Sequence, residues 1–171
     1  MNEIIYPYLP KDRNIKYVDL NNVYMRKAKD FSEGQSTDRL QPTGSVLVKD
    51  SVIIGSAANV VPLKNAFLLK KHQGGLCVRK MLKVKTGTKY WLCPGCAKFK
   101  DHSEQRAIRD AVKNSHDPKG SDLYLYGHWW CCQPCWSKIM EAGIKEVYLL
   151  EGSEVLFNSS DKKNILGKNF K

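Results

Sequence analysis

His102-Ser103-Glu104 and, 30 positions after the histidine, Cys132-Gln-Pro-Cys135 decide how this chain is read. A histidine, a carboxylate two residues later and a Cys-x-x-Cys pair form one chemical kit. Zinc in a catalytic site takes three protein ligands, commonly nitrogen and thiolate sulfur, and keeps a fourth tetrahedral position open for water. His102, Cys132 and Cys135 can supply those three. Glu104 is too near His102 in sequence to be an obvious fourth ligand, yet it can reach a bound water and move its protons. A metal-activated water beside a carboxylate base is a hydrolytic device.

The chain around this kit has 171 residues, the length of one domain and enough to bury a core. Its longest run free of Asp, Glu, Lys, Arg and His, Ser51 to Leu63, has 13 residues, too few to span a bilayer as a helix. The apolar patch Ile4 to Leu9 follows acidic Glu3 in place of a basic leader segment, and no small-residue cleavage site comes after it. The expected compartment is the cytoplasm, with no membrane partner. Six cysteines in a reducing compartment argue for metal rather than disulfides, and four of them sit in Cys-x-x-Cys pairs. The net charge of +11 is unevenly placed: residues 51–100 hold ten Lys or Arg and no Asp or Glu, leaving the rest near balance. Such a local field suits a phosphate-bearing partner, a nucleotide or a nucleic acid. The bland alternative is a solvated basic face.

Along the chain, residues 1–18 have no clear period and read as an N-terminal arm. Asp19 can cap a helix to about Glu33, with Val23, Ala28 and Phe31 among its apolar positions. Ser45-Val-Leu-Val-Lys-Asp and Val52-Ile-Ile-Gly read as a hairpin about a Lys49-Asp50 turn. Residues 60–101 are an irregular basic insertion. His102 opens a helix to about Asn114, with Ala107, Ile108, Ala111 and Val112 on one face. Asp122-Leu-Tyr-Leu-Tyr is a strand; a helix follows, with Pro134 in its first turn, Trp136, Ile139 and Met140 on its buried face and Gly143 as its stop. Val147-Tyr-Leu-Leu is a buried parallel strand, and 159–171 a polar tail. The main domain therefore spans 19–158. This order implies a three-layer α/β/α sandwich on a mixed sheet, with His102 and Cys132 at two helix starts.

At these residues the sequence resembles the cytidine and deoxycytidylate deaminase superfamily, most closely its deoxycytidylate deaminases. His-x-Glu followed by Pro-Cys-x-x-Cys is the mark of zinc nucleobase deaminases, here with Cys131 in place of the proline. The resemblance covers roughly residues 20–150. It takes in Ser36-Thr-Asp…Pro42-Thr-Gly-Ser-Val-Leu-Val-Lys-Asp, Ile54-Gly-Ser-Ala-Ala-Asn59, Cys77-Val-Arg79, Gly87…Tyr90…Cys93, His102-Ser-Glu-Gln-Arg-Ala-Ile108 and Glu141-Ala-Gly-Ile-Lys-Glu-Val147. Gly127-His-Trp-Trp makes a longer approach to the motif cysteines than is usual, and the loop after Asn59 lacks a frequent glycine. The resemblance implies a five-stranded sheet, a homo-oligomer and hydrolytic deamination of a cytosine nucleotide, deoxycytidylate to deoxyuridylate. It implies Glu104 as the catalytic proton carrier and Asn59 as a contact to sugar or base; Asn59 alone could be a turn former.

Other candidates stand beside these. Trp130 can stack on a base, Ser103, between ligand and carboxylate, is a candidate substrate contact, and Arg79 with its neighbouring lysines can hold a 5′-phosphate. Cys93-Pro-Gly-Cys96 has the knuckle spacing of structural zinc; His72 and Cys77 would complete the set as H-x4-C-x15-C-x2-C, and three free cysteines are the alternative. For Cys132 and Cys135 the alternatives are a structural zinc or a redox pair, since Trp130-Cys-Cys-Gln-Pro-Cys135 resembles the thioredoxin motif with one cysteine inserted. Two further functions remain open: deamination of a base within tRNA or single-stranded DNA, and a zinc-stabilised nucleic-acid-binding module. An intact Glu104 speaks against the last, because a structural site has no use for it.

Overall fold

Side-chain alternation along the strands builds two cores, one on each face of a single sheet. The computed structural model describes residues 7–85 and 88–166, so Glu3, the start of the Ile4 to Leu9 patch, Gly87 and the end of the tail lie outside the described residues. β2 (Gly44–Lys49) and β3 (Val52–Ala58) form the expected antiparallel hairpin. Its turn lies one residue further on than Lys49-Asp50: Asp50 and Ser51 form the loop, with φ of 49° and 63°. A two-residue hairpin loop favours positive φ, which Asp tolerates better than most residues. β4 (Asp122–Tyr126) pairs antiparallel with β2 and parallel with β5 (Glu146–Leu150). The arm expected over 1–18 is corrected at its end: Ile15–Val18 is an edge strand, β1, parallel to β5 with Ile15 opposite Val147. The five strands lie in the order β1-β5-β4-β2-β3, the mixed sheet expected.

α1 (Val23–Gln35) begins after Asn22, not Asp19. The Asn22 carboxamide accepts the Tyr24 and Met25 N–H groups at 3.0 Å, whereas Asp19 accepts from Asn21. Such a cap contributes about 1 kcal/mol. The later start turns Met25, Ala28 and Ser32 inward and leaves Val23 49% exposed. α1 closes one core with Val46, Val48, Tyr124, Tyr126 and Leu150. Leu47, Leu123, Leu125, Val147 and Leu149 alternate with these along the strands, so they face the other way. There they pack on α4 (Ser103–Lys113) and α5 (Gln133–Glu141) through Ala107, Ala111, Trp136 and Ile139. This is the three-layer sandwich. Val112 and Met140, expected inside, are exposed because each lies one position round the helix from its buried stripe.

The insertion holds α2 (Ala66–Gln73), α3 (Val78–Met81) and 3-10 turns at Tyr90–Leu92 and Phe99–Asp101. After β5, α6 (Ser153–Leu156) leads to the tail, whose Ile165 and Leu166 pack on the α1 core. Among the described residues no helix is long and apolar enough to cross a membrane.

Gly44 and Gly55 set how closely the helices sit. A Cβ on Gly44 would collide with the Ala28 carbonyl of α1; on Gly55 it would meet Ala111 of α4 at 2.8 Å from Cβ and 2.9 Å from N. Gly55→Ala should therefore push α4 off β3 and destabilise the fold by about 3 kcal/mol or more, the upper range for overpacking. Gly34→Ala, on α1 with open space around it, should stabilise by up to ~1 kcal/mol. Urea unfolding of both variants at matched metal content checks the contrast.

Candidate active site at two helix N-termini

β3 and β4 are each antiparallel to β2, so they run the same way and end at the same edge of the sheet. The chain leaves β3 at Asn59 and β4 at Gly127, and α4 and α5 start close to these exits. His102 is the N-cap residue of α4 and Cys132 that of α5, and neither side chain caps its own helix. His102 Nδ1 instead lies 3.6 Å from Cys132 Sγ and 3.5 Å from Cys135 Sγ, and the three donor atoms fall within 4.8 Å of one another. One imidazole nitrogen cannot hydrogen-bond two thiols at once, but one nitrogen and two sulfurs converging on a point form a fitting set for zinc. Gln105 Nε2 donates toward Cys135 Sγ at 3.9 Å. The Cys132 thiol is drawn down to about 6 by the Cys135 thiol, against burial and with help from His102, while burial pushes Cys135 well up. Burial lowers His102, but the neighbouring Cys132 overrides it and raises the ring to about 9. Cys131, in the proline's place, is fully buried and held protonated by that burial.

Glu104 lies in the first turn of α4, 5% exposed, and lines one cleft with His102 and Cys132. Asn59 and Trp130 line it too. Asn59 Oδ1 accepts from Ser36 Oγ (2.6 Å) and Thr43 N (2.9 Å), and Nδ2 donates to the Gln41 carbonyl at 2.8 Å. That leaves one Nδ2 hydrogen for a ligand. Trp130 is 5% exposed and meets His128 edge-on at 4.7 Å.

Ser103 requires a correction. It is fully buried, is absent from the cleft lining, and gives its hydroxyl proton to Glu104 Oε2 at 3.2 Å. Arg79 is also more committed than its charge suggests. Its Nε donates to the Thr88 carbonyl, Nη1 points at Cys96 Sγ (3.9 Å), and the guanidinium lies 3.9 Å from the Tyr90 ring centre. Arg79 still lines a groove, with Lys80 beside it, that shares Asp38, Gln41, Tyr90 and His128 with the cleft.

Those four shared residues were missed as site residues, although Asp38 and Tyr90 fall inside the motifs quoted above. Asp38 is buried, with its carboxyl pushed up by that burial, and it accepts N–H bonds from Leu40, Gln41 and Ala97. Tyr90 lies edge-on to His102 at 5.6 Å. His128 Nδ1 accepts the Trp129 and Trp130 N–H groups at 3.0 and 3.3 Å, which puts the ring proton on Nε2. Burial, with His102 nearby, pushes His128 down to about 3, so the ring is neutral.

The second group assembles as well. His72 Nε2 lies 3.7 Å from Cys96 Sγ, Cys77 Sγ lies 3.7 Å from Cys96 Sγ and 4.0 Å from Cys93 Sγ, and all four residues are buried. A Cβ on Gly95 would stand 2.5 Å from the His72 ring, so Cys93-Pro-Gly-Cys96 needs its glycine to close. One nitrogen and three sulfurs make a closed set of the structural kind.

The profile described as "Cytidine and deoxycytidylate deaminase zinc-binding region" matches residues 19–151, and the chain belongs to that family. No curated protein sequence matches it. A dCMP deaminase from the cyanophage S-TIM5 is similar at 21% identity over 78% of this chain and 86% of its own, with a TM-score of 0.46. For its complex with dCMP and dUMP the values are 20%, 78%, 85% and 0.47. A diaminohydroxyphosphoribosylaminopyrimidine deaminase/5-amino-6-(5-phosphoribosylamino)uracil reductase from Thermotoga maritima is 22% identical over 74% of this chain, with a TM-score of 0.44, and only 28% of that longer chain is covered.

With both groups filled, the purified protein should carry about two zinc ions per chain. Replacing Cys93 and Cys96 by serine should lower this to about one while His102, Cys132 and Cys135 keep theirs. Metal analysis that finds one zinc in the unmodified protein would remove the second site.

Proposed function

We propose that this chain catalyses hydrolytic deamination of a cytosine nucleotide, deoxycytidylate to deoxyuridylate, with release of ammonia. The observation that carries this reading is the convergence of His102, Cys132 and Cys135 within 4.8 Å, beside a buried Glu104 in one cleft. In this reading the histidine and the two cysteines hold zinc. A zinc ion bound there supplies Lewis acidity, which lets water ionise near neutral pH.

The remaining steps belong to the chain's own residues. Glu104 takes the proton of the attacking water, delivers it to N3 of the pyrimidine, and carries a second proton to the leaving amine. The water oxygen becomes the new carbonyl at C4, and ammonia departs. Asn59 offers its free N–H to sugar or base, while Tyr90 and Trp130 wall the base and exclude water. Lys80, which forms no ion pair among the described residues, and Arg79 bind the 5′-phosphate in the adjoining groove. The same resemblance suggests a homo-oligomer. Six free cysteines, gathered in two ligand sets and one buried thiol, suit a reducing cytoplasm.

Ammonia release from a panel of nucleosides, nucleotides, tRNA and single-stranded DNA tests the proposal. Deoxycytidylate should be turned over far better than deoxycytidine, and Lys80→Ala should raise KM for the nucleotide alone. Glu104→Gln should keep its zinc and fold yet lose roughly 10²–10⁴-fold in activity, the range for a lost general acid–base group. Full activity in that variant would rule out this chemistry, and loss of zinc would make Glu104 a ligand. Faster turnover of a polynucleotide than of any monomer would move the assignment to tRNA or single-stranded DNA.

A further inference from the structure

Beneath Glu104 lies a pair of serine hydroxyls that the chemistry above does not use. Ser45 Oγ donates to Ser103 Oγ at 2.8 Å, and Ser103 Oγ donates to Glu104 Oε2 at 3.2 Å. Both serines are completely buried. A hydroxyl has a single proton. Because Ser45 directs its proton into Ser103, the Ser103 proton is left to point at the carboxylate, and bonds in such a chain polarise one another. The Ser45 end is fixed by the sheet: it lies on β2, paired on one side with Ala57 and on the other with Leu125.

The terminal torsion of a glutamate is broad and roughly two-fold, so nothing intrinsic distinguishes its two oxygens. A donor fixed on one of them does. We propose that Ser45, acting through Ser103, is a positioning residue for Glu104, holding Oε2 so that Oε1 is the oxygen that exchanges protons with water and substrate. This rests on the deaminase reading above. The alternative is a hydroxyl pair that merely satisfies itself in the core.

The test uses the zinc-loaded full chain with Ser45→Ala and Ser45→Thr. Ser45→Ala frees the Ser103 hydroxyl to rotate; Ser45→Thr keeps the donor. With the substrate that the panel identifies, Ser45→Ala should lower kcat by roughly 10-fold, less than the 10²-fold that a 1 Å misplacement can cost. KM and zinc content should stay unchanged, and Ser45→Thr should recover most of the loss. The carboxyl carbon resonance of Glu104, assigned by its disappearance in Glu104→Gln, gives a reading that needs no turnover. It should move in Ser45→Ala and return in Ser45→Thr. An unmoved resonance with unchanged kcat overturns the proposal, as does a fall in kcat matched by loss of zinc or of Tm. If the unmodified protein deaminates nothing, the functional reading fails, and the resonance alone decides whether Ser45 governs Glu104.

Discussion

Three donor atoms on two separate helix starts must meet within a few ångströms, and most of the architecture follows from that requirement. β2 lies antiparallel between β3 and β4, which brings the exits of both outer strands to one edge. Gly55 lets α4 lie against β3. The sites themselves sacrifice local stability. N-cap positions favour Ser, Thr, Asp or Asn, and a missing cap costs about 0.5–2 kcal/mol. Here those positions hold His102 and Cys132, whose side chains cap nothing. Departures from local rules of this kind concentrate where function demands them.

The insertion follows a second constraint. Among the described residues its one buried apolar cluster is Cys77, Cys93 and Cys96 with Leu40 and Tyr90 against it, while Phe67, Met81, Leu82 and Trp91 are each more than 60% exposed. So little apolar burial cannot by itself order such a segment; a four-ligand group can, because metal affinity then becomes folding free energy. The group also reaches the cleft. Ala97, next to Cys96, donates its N–H to Asp38, and Arg79 links Cys96 to Tyr90, which lies against His102. Order in the insertion and shape in the cleft are physically joined.

Local signals made much of this legible in the sequence. Hairpin alternation, the apolar β4 and β5 and the spacing of both cysteine groups all depend on near neighbours, and all are present in the fold. Where the sequence misled, distant partners or local competition decided the outcome. β1 has no signal of its own, since its partner β5 lies some 130 residues away, Ile15 opposite Val147. Asn22 prevailed over Asp19 as the α1 cap because Asp19 already serves a turn with Asn21. Arg79 reads as an unengaged cation, whereas it makes three bonds within the loop while still lining the groove, and Ser103 reads as a substrate contact until Ser45 and Glu104 close around it. His128 becomes a site residue only through the turn that fixes its tautomer.

X-ray absorption at the zinc edge, on protein reduced to one zinc by Cys93→Ser and Cys96→Ser, tests the central claim most directly. An open site held by His102, Cys132 and Cys135 predicts two sulfurs at roughly 2.3 Å and two nitrogen or oxygen neighbours near 2.0–2.1 Å, one of the latter exchangeable. A third sulfur, drawn from Cys131, or a closed shell with no exchangeable neighbour would contradict it and leave a structural metal where catalysis is assigned.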